Sequence, residues 1–262
     1  PQRGLHVGAA VARVAELGQS IAGLVDRDGV HGAVRWVLAC RDAGVRPVLG
    51  VDLAMEPTSP ALDGGARSRT PAHGGTWVDE SRPRVVLLAV GARGWSSLCR
   101  LVSAAHIGAH AERGDPWLTW AALRAHHEGV IALLGPHSEL GRVLATRRVH
   151  RAEGVVRPWR AVLGRRLAVA VTSHRYPSGD PHSTAVAATM LGWAREQGIP
   201  AVLTNAVRYL EPDDVRTADV LDAARRLVSL ESRHIRPGNG QAFLKSSAQM
   251  AAVADEIAVA AG

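Results

Sequence analysis

Gly23-Leu-Val-Asp-Arg-Asp-Gly-Val-His-Gly-Ala-Val-Arg35 and Ala43-Gly-Val-Arg-Pro-Val-Leu-Gly-Val-Asp-Leu53 are the stretches that decide the fold. Ile21 to Val25 is a short apolar, β-branched run stopped by Asp26-Arg27-Asp28-Gly29, as a strand entering a turn would be. Ala33, Val34, Val37 and Leu38 then recur at helical spacing, which predicts a helix buried on that face and closing near Gly44. Arg46 to Ala54 supplies a second strand. Upstream, Gly8 to Gly18 places Ala12, Val14, Ala15 and Leu17 on a helical pattern that ends at a glycine. The order helix, strand, helix, strand is that of a parallel sheet covered by helices.

The alternation continues outward from this unit. Strands are expected at Arg84 to Val90, Val130 to Gly135, Leu167 to Val171 and Ala201 to Thr204. Helices are expected over Gly94 to His106, with Leu98, Leu101 and Val102 buried, and over Ser183 to Gln197, Asp213 to Val228 and Ser247 to Ala261. Pro57 to Thr76 is rich in Gly, Pro, Ser and Arg without apolar periodicity and reads as a mobile surface insertion. The pattern has no internal boundary, so residues 1–262 read as one α/β domain, with 211–262 as a helical tail.

Composition narrows the class. Of 262 residues, 47% are hydrophobic and 21% charged, the balance of a folded globular chain. Apolar runs such as Val85-Val86-Leu87-Leu88-Ala89-Val90 fall far short of the roughly 20 residues that span a bilayer. The net charge of +7 suits a polyanionic partner, nucleic acid or an acidic protein surface. Lys245 is the only lysine, however, and an arginine excess of this kind also follows from GC-rich coding. Cys40 and Cys99 lie far apart on apolar, helix-like stretches and read as reduced core residues of a cytoplasmic protein. Trp36, Trp95, Trp120 and Trp193 sit on or beside helical patterns and read as core.

Acidic residues at the carboxyl ends of strands are the first chemical candidates, because parallel strands aim such side chains into the mouth where α/β enzymes bind ligands. Asp26 and Asp28 end the first strand and Asp52 closes the next. Asp28 reads equally as a helix N-cap, and each carboxylate could hold a divalent metal, a loop amide or an arginine. Twelve histidines invite a metal reading, yet spacing brings forward only His126-His127 and His174 with His182. Neighbours on a helix point about 100 degrees apart, so His126 and His127 are poor joint ligands. His174 follows the strand Leu167 to Val171, which places it near Asp26 and Asp52 or in an exposed loop. Neither nucleotide-binding glycine fingerprint is present, nor Gly-x-Ser-x-Gly, so phosphate-loop and serine acyl-transfer chemistry have no candidate.

The two opening stretches resemble the PHP domain at the amino terminus of bacterial DNA polymerase III alpha subunits. Further collinear matches are Gly94-Trp-Ser-Ser-Leu-Cys-Arg-Leu-Val-Ser-Ala-Ala-His106, Leu133-Leu-Gly-Pro-His-Ser-Glu-Leu-Gly141, Ala201-Val-Leu-Thr-Asn-Ala-Val-Arg-Tyr209 and Ala218-Asp-Val-Leu-Asp-Ala-Ala-Arg-Arg-Leu227. The resemblance implies a distorted TIM-like barrel of about seven strand–helix units. Members that bind metal hold zinc, manganese or iron with histidines and carboxylates at the strand ends and hydrolyse phosphoesters; the polymerase palm, which uses magnesium, lies beyond a PHP domain.

Against that pattern the ligand set here is depleted. The family's opening His-x-His would precede residue 1, so the front strand is expected to be missing. The Asp-His after the first strand appears as Asp26-Arg27, a usual glutamate as Asp52, and the late Asp-x-His as Ala206-Val207-Arg208. Asp26, Arg27, Asp52, His174 and Arg208 are thus expected to form a vestigial site with no metal or other cofactor and no catalytic residue. Guanidinium groups cannot donate a lone pair and repel cations, so Arg27 and Arg208 are expected to pair with Asp26 and Asp52 in a metal's place. The resemblance implies an inert structural domain of a replicative or error-prone polymerase. Its partners would be the polymerase body, and DNA, an exonuclease or another replisome subunit. The rival reading is a metal-dependent phosphoesterase or 3′-5′ exonuclease on Asp26, Asp52 and His174.

Overall fold

The computed structural model describes residues 7–58, 69–71, 77–79, 82–107, 116–232 and 235–262. The chain opens with α1 (Val7–Glu16), β1 (Ile21–Arg27), α2 (Ala33–Asp42) and β2 (Arg46–Met55). A two-stranded ribbon, β3 (Arg69–Pro71) and β4 (Trp77–Asp79), precedes β5 (Arg84–Ala89) and α3 (Gly91–Ile107). There follow β6 (Trp117–Leu118), α4 (Trp120–Ala125), β7 (Val130–Leu134), α5 (Glu139–Ala145) and α6 (Ala152–Leu163). The last elements are β8 (Leu167–Val171), α7 (Thr184–Glu196), β9 (Ala201–Leu203), α8 (Val215–Arg226) and α9 (Ser247–Ala261). Of the stretch expected as an insertion, residues 59–68 and 72–76 lie outside the described residues. Residues 69–71 are paired strand rather than featureless loop.

Seven strands form one sheet in the order β1-β2-β5-β7-β8-β9, with β6 on the far part of β2. The α/β class agrees with the sequence, but the sheet is mixed: β5 runs antiparallel to both β2 and β7, while β1–β2, β7–β8 and β8–β9 are parallel. Reversal of β5 matters for function. Its amino-terminal residue, Arg84, lies opposite Ala54 near the carboxyl end of β2.

The described residues form two larger apolar cores and two small buried clusters. The larger is built from Leu53, Leu87, Leu134 and Val169 of the strands and Leu98, Leu101, Leu140, Trp159, Met190 and Trp193 of the helices. Trp120 and Trp159 meet edge to face with centroids 4.8 Å apart, the arrangement favoured by ring quadrupoles. The region expected as a helical tail joins this core, since α9 packs on α7 and buries Val253 and Ile257. The smaller core holds α1 and α2 on β1 through Val11, Val14, Ala22, Trp36 and Cys40.

The predicted buried face of α2 is corrected. Ala33, Trp36 and Cys40 point inward, whereas Val34 is 71% exposed and Leu38 44%. Trp36 wins the inside because its large ring removes more apolar area from water, and its indole N–H donates to Ala22 O at 3.3 Å. Cys40 is buried and Cys99 half-buried, and both are free thiols. A close approach anchors α3: a Cβ on Gly94 would stand 2.1 Å from Gly129 O, and Gly129 itself has φ +67°.

Candidate functional site

Strand direction gathers polar groups along one edge of the sheet. Asp26, Arg27 and Asp28 leave β1, and Asp52 sits near the end of β2, in register with Arg27. His137 follows β7, His174 follows β8, Asn205 and Arg208 follow β9, and antiparallel β5 brings in Arg84 from its start. Arg84 N donates to His137 O at 3.0 Å, tying the two halves of the edge together.

Arg84 occupies the centre of the first half. Its Nε lies 3.1 Å from both carboxylate oxygens of Asp52, and its Nη2 donates to Asp28 Oδ1 at 2.7 Å and Asp52 O at 2.8 Å. Asp28 reaches it from a left-handed backbone position, φ +56°, a conformation that Asp tolerates better than most residues. Burial works against the guanidinium's charge, but Asp52 and Asp28 outweigh it and hold the Arg84 pKa above the usual arginine value. Arg27 lies 3.5 Å from Asp28, and its pKa is lowered by burial first and then by Arg84 and Arg225.

Three histidines fill the second half. The His182 ring is 4.8 Å from that of His137 and 4.9 Å from that of His174. His174 Nε2 donates to Asn205 O at 2.7 Å, so in the neutral ring Nδ1 is the acceptor. All three favour the neutral form. His137 is shifted down by burial, reinforced by Arg142, Arg27 and Arg84 against Asp52. His174 is shifted down by burial, and Lys245 and Arg208 add to it. His182 is pushed down to about 3 by burial and by the two neighbouring rings.

Behind the histidines, the segment 235–245 straps the mouth. Asn239 donates to His174 O at 2.6 Å, and Asn205 donates to Gln241 O at 2.9 Å and Phe243 O at 2.7 Å. Lys245, only 4% exposed, turns its ammonium to Asn205 Oδ1, Gln241 O and the face of Phe243. Burial pulls its pKa down to about 8.

The residues singled out from sequence fall into this edge, with altered pairings. Asp26 accepts from Gly32 N at 2.6 Å and so pins the start of α2, the service expected of Asp28. Asp28 is not the N-cap of α2, which is Gly32. Arg84 supplies a guanidinium to Asp52 that the sequence reading did not foresee, Arg27 lies beside Asp28 with Asp52 favouring its charge, and Arg208 binds Asp222 of α8 at 2.8 Å. His174 is at the edge but lies with His137 and His182. Arg84 escaped notice because an alternating pattern implied parallel strands, which would have put it at the opposite edge. His137 carried a usable signal, since it stands just past a predicted strand end, as His174 does.

The Arg84 guanidinium stands between Asp28 and Asp52, and among the described residues no three His, Cys, Asp or Glu side chains form a group that could hold a metal ion.

Comparisons with known proteins agree with the resemblance in the sequence. The chain is 29% identical over 208 residues to "DNA polymerase III subunit alpha" of Caulobacter vibrioides, which covers 79% of this chain and 17% of that protein. It is 27% identical over 251 residues to "Error-prone DNA polymerase" of Symbiobacterium thermophilum, covering 90% and 21%. The chain therefore spans about a fifth of the length of the curated relatives it matches. Among solved structures, an amidohydrolase from Chromobacterium violaceum aligns with 77% of this chain and 82% of its own at 13% identity and a TM-score of 0.44. The family model described as "PHP domain" matches residues 5–174, well over half of the sequence, and the chain belongs to that family.

Proposed function

We propose that this chain is the PHP domain of a DNA polymerase III alpha-type or error-prone polymerase, and that it acts as a structural and interaction domain without hydrolytic activity of its own. The polymerase assignment draws on relatives of both names that match along most of the chain. The observation that carries the inert reading is the Arg84 guanidinium bridging Asp28 and Asp52. A fixed cation there supplies the charge that ties the strand ends, yet it activates no water and offers no open coordination position. On this reading Asp26, Arg27, Asp52, His174 and Arg208 are remnants of a metal site, and the domain works in the cytoplasm during DNA replication. Its partners are the polymerase body, DNA and other replisome subunits, an exonuclease among them.

Elemental analysis of the purified chain for zinc, manganese and iron, paired with a phosphoester hydrolysis assay in added Mn²⁺, tests the reading. Less than about one-tenth equivalent of metal and no metal-stimulated hydrolysis are expected. Near-stoichiometric metal with hydrolysis would instead assign a phosphoesterase.

A further inference from the structure

The net charge of the chain is local. Residues 142–166 contain eight of its 31 basic residues and one of its 24 acidic residues, so these 25 positions carry the whole +7. The other 23 basic and 23 acidic residues cancel. An arginine excess from coding bias alone would be spread along the chain, which makes this concentration a property of one surface.

Structure gives that surface a shape. It comprises the end of α5, a 3-10 turn at Val149–Arg151, α6, and a second 3-10 turn at Gly164–Arg166. Ala152, Val155, Val156, Trp159 and Leu163 of α6 face the core, which leaves the opposite side to solvent. Arg147, Arg148, Arg151, Arg157 and Arg165 are exposed, and none makes an ion pair among the described residues. Arg160 is the exception, bound to Glu153 at 3.2 Å. Exposed Gly154 and Ala161 flank Arg157, and a Cβ on Gly154 would meet open space. Arg160 Nη2 donates to Gln197 O at 3.1 Å, and Arg166 lies 3.2 Å from His127 Nδ1. Those partners precede β9 and β7, so the surface is fixed to the sheet edge opposite Arg84 and the histidines.

We infer that this face docks the phosphate backbone of double-stranded nucleic acid. Unpaired guanidinium groups on a rigid surface release counterions from a duplex and fork onto phosphate oxygens. The twelve residues of α6 extend about 18 Å, which matches roughly five base-pair steps. Binding to an unstacked single strand would call for aromatic platforms. The sole Phe, Tyr or Trp in 142–166, Trp159, is 3% exposed and committed to the core. Contacts that end on phosphate oxygens carry no sequence information, so sequence preference is not expected. The inference stands on charge and exposure and does not depend on the polymerase reading.

Fluorescence anisotropy of the 262-residue chain with a labelled duplex of about 20 base pairs tests it, across about 50 to 200 mM salt. The decisive variant is R148Q/R151Q/R157Q/R165Q, and a control of equal charge loss is R35Q/R100Q/R195Q/R216Q, all exposed positions. The four-site variant is expected to keep its melting temperature, bind the duplex at least about tenfold more weakly at low salt, and lose about 3 to 4 from the slope of log affinity against log salt. The control is expected to retain the wild-type slope to within about one. Four results would each overturn the inference: no duplex binding by the wild type at about 50 mM salt, equal binding by the four-site variant, an equal loss in the control, or tighter binding of a single strand or a polyglutamate peptide than of the duplex.

Discussion

Arg84 Nη2, at the start of β5, lies 2.7 Å from Asp28 Oδ1 in the turn after β1. The same guanidinium holds Asp52 through Nε, so one side chain ties two strand ends. Only 13% of the Arg84 side chain is exposed, against 25% and 29% for its partners, so water screens the pairs incompletely.

Arg84→Ala is therefore expected to destabilise the fold by about 2 to 4 kcal/mol, since it removes the guanidinium that Asp28 and Asp52 share and leaves Arg27, 3.5 Å from Asp28, as a cation beside them. Urea denaturation followed by circular dichroism measures this. Adding Asp28→Asn and Asp52→Asn to the Arg84→Ala variant should restore part of the loss; a further loss would mean that the carboxylates contribute through other partners.

The histidine cluster makes stability depend on acid. His182 has a folded pKa of about 3 against an ordinary 6.5, so the unfolded chain takes up the proton first. The contribution is fully present above about pH 6.5 and is lost as pH falls from there toward about 3. His137 and His174 are shifted in the same direction. Thermal midpoints measured between pH 7.5 and 4.5 should fall steadily, and His182→Asn should flatten that dependence. An unchanged slope in the variant would count against the assignment.

Two glycines should respond in opposite ways. Gly94→Ala drives a Cβ into Gly129 O and is expected to cost about 2 kcal/mol or more, because backbone rather than a flexible side chain must move. Gly154→Ala, in the open on α6, should be neutral or stabilise by up to about 1 kcal/mol through helix propensity. Chemical denaturation of the two variants side by side decides the matter.

On α2 the contrast lies between neighbours. Trp36→Ala should cost about 3 to 5 kcal/mol, since the ring is 5% exposed and its N–H is bonded to β1. Val34→Ala, at 71% exposure, should change stability by no more than about 0.5 kcal/mol. Comparable losses at both positions would restore the face read from apolar spacing.

Local pattern was enough to place most elements of this protein. Strand runs such as Ile21 to Val25 and Leu167 to Val171, and the helix from Ser183, whose hydroxyl accepts from Val186 N at 3.3 Å, follow from periodicity and capping, which act over a few residues. The same reading located Asp26, Asp52 and His174 near one sheet edge, because a strand's end is visible in sequence. What surrounds those residues was decided elsewhere. Strand polarity is a tertiary property, and the reversal of β5 carried Arg84 to Asp28 and Asp52, 56 and 32 positions away. Competition for the inside of α2 was settled by ring area and a hydrogen bond to β1, neither of which periodicity weighs. His137, His174 and His182 approach one another because β7 and β8 pair in parallel and the turn before α7 folds back on them. Short-range chemistry sets the elements of this chain; the direction and order in which the strands pair set which charges meet.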